Sequence, residues 1–301
     1  MSGPLRWGRE AWSVLGQTIA EYQVDNVPRL AAALSYYTAF ALAPVLVIVI
    51  AVAGLAFDSG AVRAAIIEQV AELLGSGGAA LVGEMLEAAG RPGRGLAAVA
   101  VGLATMVLAA SGLFAELQGA LNIVWDVEPR TEGGFLGVLR RRFVSFTMVV
   151  GLGFLLLVSL VVSAGVAAFS KFAGGRLPGW EIALQGGNVL LGFTFTTVVF
   201  ALIYKVLPDV KLTWRDVWTE ALVTAALFSA GRLLIGLYLG RSSVSSTYGA
   251  AGSLAIVLLW VYYSAQILLL GAELTQVRVR RRGERVQPKP ETAAAPRTAG
   301  P

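Results

Sequence analysis

Three carboxylates, Glu116, Glu220 and Glu273, stand in or beside long apolar stretches of this chain. A charge at a helix centre in hydrocarbon costs about 2.5–3.5 kcal/mol on insertion scales, so such groups mark either a site or an internal partner. Gly112, Glu116, Gly119 and Asn122 recur at i, i+4, i+7 and i+10, which is one helix face. Gly252, Ala255, Tyr262, Gln266 and Glu273 form a second stripe. Arg29, Tyr36, Tyr37, Tyr204 and Lys205 fall at a similar depth on two further apolar stretches. Together these residues predict a polar layer that binds an ion, a headgroup or a small solute in a cavity open to the cytoplasm. The competing reading is ion pairs and hydrogen bonds that tie helix ends together. Arg232 lies alone inside an apolar stretch; it either snorkels outward or pairs inside the bundle. Pro44, in the middle of the first stretch, predicts a kink or a freed carbonyl.

The residues that are missing narrow the chemistry. There is no His and no Cys. Thiol catalysis, His-based acid–base work and zinc-finger sites are therefore excluded. No phosphate-binding loop and no nucleophile elbow occur. Carboxylates alone bind Mg²⁺ in some sites, but no motif brings these three together. No catalytic residue, metal or cofactor is expected, and the chain does not read as an enzyme.

The elements that must position these side chains are membrane helices. The chain has 301 residues, 56% apolar and 14% charged, with a mean hydropathy of +0.70. A crossing helix needs about 20 mostly apolar residues. Six stretches qualify, at about 30–57, 95–113, 143–169, 183–206, 217–239 and 250–274. None alternates with a period of two, so helix is preferred to barrel strand. The fold class is all-α and polytopic. Seventeen Lys and Arg lie in the two ends and the second and fourth loops, against six in the other loops. That asymmetry places both termini in the cytoplasm and accounts for the pI of about 9.7 without a nucleic-acid surface.

Residues 1–29 are too polar for the apolar core of a signal peptide. Trp7, Ala11, Leu15, Ile19 and Tyr22 share one face, which predicts an amphipathic helix. It lies either on the inner membrane surface or against the bundle. Residues 60–90 carry two apolar stripes broken by Gly75-Ser76-Gly77-Gly78, which predicts an external helical pair. Residues 277–301 read as a basic, disordered tail whose first arginines meet anionic lipid headgroups. The Gly112 and Gly119 face suits contacts within one chain or in a homo-oligomer.

Several runs resemble the YihY/BrkB family of bacterial inner-membrane proteins. They are Arg29 to Tyr37 with Phe40 and Pro44, Leu117 to Trp125, Tyr204 to Asp209, and Trp214 to Val217. Ile235 to Leu239, Tyr248 to Ser253, Leu259 to Tyr262 and Gly271 to Glu273 complete the pattern. The resemblance covers about residues 10–276. It implies six spans with cytoplasmic termini in the inner membrane, in agreement with the charge count. One departure is Glu220-Ala221, where the family often has Gly-Ala. The family has carried virulence and ribonuclease labels, and this chain lacks the groove and metal ligands a nuclease needs. Transport or lipid handling in envelope maintenance is the expected function. A non-transporting membrane scaffold is the alternative.

Overall fold

In the computed structural model, residues 4–53, 58–89, 112–129, 151, 180–241, 244–283, 287–288 and 292–294 are described. The helices are α1 (Pro4–Val24), α2 (Val27–Ala53), α3 (Ser59–Ala89) and α4 (112–124). They continue as α5 (Trp180–Val206), α6 (Trp214–Arg241) and α7 (Val244–Arg281). Most of the two expected spans at 95–113 and 143–169 lies outside the described residues.

Among the described residues, three helical stretches are long and apolar enough to cross a membrane: Val189–Val206 in α5, Trp214–Leu234 in α6 and Leu254–Arg281 in α7. They match the last three expected spans. Large apolar side chains such as Leu190, Leu222, Leu233 and Leu259 point outward from them. Exposure on that scale is stable against lipid and costly against water. The bundle is built by α7, which packs against α1, α2, α3 and α6, while α5 packs on α6. Its core holds Leu34, Leu121, Val124, Ala201, Tyr204, Val217, Ala221 and Leu269.

Local signals set the helix boundaries. Asp58 Oδ1 accepts from the Ala61 amide at 2.8 Å and caps α3. Thr213 and Asp216 form a capping box at the start of α6: the Asp216 carboxylate accepts from the Thr213 amide at 2.7 Å and from its hydroxyl at 2.5 Å. Asn26, with φ 53°, breaks the chain between α1 and α2, and Asp126, with φ 50°, turns it after α4. Both types tolerate the left-handed region better than most side chains.

Four expectations meet a different or sharper outcome. Helix α2 runs without interruption through Pro44, so the ring leaves the Phe40 carbonyl without its usual donor but does not break the helix. Helix α3 is assigned as one run, yet it doubles back. Arg63 Nη2 donates to the Gly83 carbonyl at 3.3 Å, although a straight helix would hold them about 30 Å apart. The glycine run 75–78 sits between those contacts. Helix α7 does not stop near 274 but continues to Arg281, where Gly283 at φ 73° ends it. The charges at its end are paired within the protein, which sustains a helix that polar composition alone would not promise.

The fourth difference is the tail. Val127–Pro129 (β1) pairs antiparallel with Thr292–Ala294 (β4), and Val210–Lys211 (β2) with Gln287–Pro288 (β3). Gln287–Pro288 and Thr292–Ala294 thus lie against the turns that follow α5 and α4. Backbone groups in those turns gain partners there, which is what residues of low apolar content can still supply.

Candidate functional site

The end of α7 is the centre of the polar layer. From Gly271 to Val277 every residue is buried. Gly271 lets α7 approach α5 and α6 closely, since a Cβ there would overlap the hydroxyls of Thr224 and Tyr204. Tyr204 donates to the Leu268 carbonyl at 2.7 Å and shares a 3.1 Å hydrogen bond with Thr224. Two residues beyond Gly271, Glu273 is completely buried, and neither of its oxygens meets a donor among the described residues.

The arginines that follow are spent on protein partners. Arg278 donates to Glu220 at 2.8 Å and Arg282 lies 3.4 Å from Asp216, two rungs of a ladder between antiparallel helices. Glu220 is itself only 1% exposed. Arg280 bridges Glu21, at 3.2 Å, and Asp126. Arg281 donates to Gln17 and Ser13, each at 2.7 Å. These residues clamp α1 and α6 onto the end of α7. Helix α1 therefore packs on the bundle through its polar face, while Trp12, Leu15 and Ile19 stay exposed.

The expected polar layer separates into distinct groups. Gln266 accepts from the Tyr22 hydroxyl at 2.6 Å. Asn122 is buried and exchanges two hydrogen bonds with Asp209, both 2.9 Å, while Gln118 donates to the other Asp209 oxygen at 3.1 Å. Lys205 donates to the Leu212 carbonyl and closes the turn between α5 and α6. Glu116 is half-buried, and Arg29 and Arg232 are exposed. Tyr36 and Tyr37 are also exposed, their rings edge to face at 5.8 Å. The layer is thus a set of buried knots around α7 with an open aromatic flank on α2. The side chain of Pro44 lies outside the described residues.

Sequence reasoning missed Asp25, Asp126, Asp209, Gln276 and Arg280. Asp25 and Asp126 sit beside left-handed turn residues or occupy them, a signal of loop geometry that gives no hint of a shared partner. Gln276 donates to the Val124 carbonyl and reaches toward Asp126 at 3.4 Å. Asp25 faces Glu273, carboxyl to carboxyl. Burial, followed by the charges of Asp126 and Glu21, raises the Asp25 carboxyl to about 6 against the lowering pull of Glu273 and Arg280. Buried side-chain atoms without partners occur at Trp125, Glu220, Glu273 and Gln276, all in this one region. Native proteins hold few such atoms, so their clustering sets the region apart from ordinary core.

Long apolar helices, lipid-compatible flanks and a buried acidic layer define a multi-pass helical membrane protein. The profile of the family described as Virulence factor BrkB matches residues 18–296, and the chain belongs to that family. It is 32% identical over 264 residues to a UPF0761 membrane protein of Alkalilimnicola ehrlichii, covering 85% of this chain and 56% of that one. A UPF0761 membrane protein of Pseudomonas paraeruginosa is 29% identical over 262 residues, covering 84% and 59% respectively. The chain thus spans little more than half the length of these curated relatives. No solved structure matches it. The relatives' names place them in a membrane and mention no enzymatic activity.

Proposed function

We propose that this protein crosses the bacterial inner membrane six times, with both ends in the cytoplasm, and binds or moves a small ion, solute or lipid through its inner polar layer. The observation that carries this reading is Glu273: a carboxyl with no exposure and no donor among the described residues, in the middle of a charged helix end. A purely structural carboxylate would be expected to have its lone pairs satisfied, as Asp209 and Asp216 have. The paired arginines hold α1, α6 and α7 around it and leave its own oxygens open.

The test is reconstitution in liposomes with cation flux and lipid scrambling followed in parallel. Wild-type protein is expected to show one of these above empty liposomes, and Glu273→Gln to reduce it strongly while Arg232→Gln does not. Absence of both activities in folded protein would overturn the proposal and favour a scaffold.

A further inference from the structure

We propose that Asp25 and Glu273 form a proton-binding site, one proton being held between the two carboxyls where the α1–α2 turn meets α7. The inference deepens the reading above, on which any role in transport rests, but the binding itself is measurable without flux.

The argument starts from donors and acceptors. A carboxylate only accepts hydrogen bonds. Glu273 has no N–H or O–H donor among the described residues, and the group that faces it is another carboxyl. Two ionised carboxylates in that arrangement repel, and burial removes the water that would screen them. One proton shared between them turns the repulsion into a hydrogen bond and halves the buried charge. Among the described residues no donor relieves it. Glu21 on α1 and Asp126 after α4 face the pair with further negative charge, and Arg280 on α7 is the cation that faces it. Arg280 is committed to Glu21 and Asp126. Gln276, one turn before it, donates away from the pair toward Val124 and Asp126.

A metal ion fits the site less well than a proton. Among the described residues no group of three or more acidic, His or Cys side chains is placed to hold one. Hard cations take about six or more oxygens, and this pair offers four. The raised Asp25 carboxyl agrees with the same picture from the other side of the pair.

Asp25 sits beside Asn26, whose left-handed backbone sets the angle between α1 and α2. Loss of the proton sets like charges against each other across that joint, so protonation state and the position of α1 are coupled.

The experiment is infrared difference spectroscopy of the full chain in lipid nanodiscs, titrated with acid and base. Ordinary carboxyls are ionised above about pH 6, so a protonated-carboxyl carbonyl band that persists there reports the pair. The band is expected in wild type, lost in Glu273→Gln, shifted or lost in Asp25→Asn, and unchanged in Glu116→Gln. Replacing choline by sodium at constant pH is expected to leave it in place. No such band in wild type, a band retained in both pair variants, or a band removed by sodium would overturn the proposal. The wild-type titration decides the matter even if a variant does not fold. A band without flux would sink the transport reading and leave the proton site standing.

Discussion

Glu220 shows how a single residue here depends on its partner. Its carboxylate is buried, one oxygen accepts from Arg278 at 2.8 Å and the other has no partner among the described residues. Removing one member of a buried pair strands the other charge, typically at a cost of about 3–5 kcal/mol. Arg278 keeps about a third of its side chain exposed, so the lower end applies. Arg278→Met should therefore destabilise the protein by about 3 kcal/mol, and Arg278→Met with Glu220→Leu should recover much of that loss. Thermal unfolding in detergent, followed by intrinsic fluorescence, measures both. Asp25 gives a second prediction at this scale. Its carboxyl is raised from 3.8 to about 6 in the folded protein, chiefly by burial. The folded state therefore binds this proton more tightly than the unfolded state. The associated stability is present below about pH 4 and is lost as pH rises through about 6. The melting temperature of wild type relative to Asp25→Asn should fall across that window. A difference that stays flat would show that Asp25 titrates normally.

At the scale of elements, the three described spans were legible because their apolar runs exceed what a soluble helix carries. Their polar endings were not. Arg278, Arg280, Arg281 and Arg282 look in sequence like a solvated basic flank, since nothing in local spacing reveals that Glu220, Asp216, Glu21 and Gln17 come from other helices. The glycines show the same dependence on neighbours. Gly119 has no heavy atom within 4 Å of where its Cβ would stand, whereas Gly271 and Gly231 would clash with Tyr204 and Tyr263 respectively. A sequence shows which glycines share a face, but contact is decided by the neighbour. Gly271→Ala should accordingly cost about 1–3 kcal/mol by overpacking. Gly119→Ala should be neutral or stabilising by up to about 1 kcal/mol, because it relieves the helix penalty of glycine in open space. The same unfolding assay separates the two. Helix α3 is a different case: it runs unbroken through Gly75-Ser76-Gly77-Gly78, yet the Arg63–Gly83 contact shows the chain folding back between those two residues.

For the whole molecule, the arrangement concentrates polar cost at one end of an otherwise apolar bundle. Composition and the distribution of Lys and Arg made the membrane class readable from the first pass. The candidate site was readable only in part: Glu273, Gln266, Asn122 and Tyr204 were found because they interrupt apolar runs. Asp25 and Asp126 were not, because in a turn an Asp is unremarkable until its neighbours are known. The same view predicts what the tail does. Removing residues after Gly283 deletes the strands paired to 127–129 and 210–211. Amide hydrogen exchange at those two segments should then rise while the buried part of α7 stays protected. Unchanged exchange at both would show that the pairing contributes nothing.

That tail pairing also bears on the order in which the protein is made. Thr292–Ala294 leave the ribosome after every helix described here, yet they meet Val127–Pro129, a segment synthesised more than halfway back along the chain. Contacts of such long sequence separation form slowly, because a large loop must close before they stabilise anything. The helices therefore pack while the turns after α4 and α5 still lack these strands, and the two short ladders join the bundle after its helices.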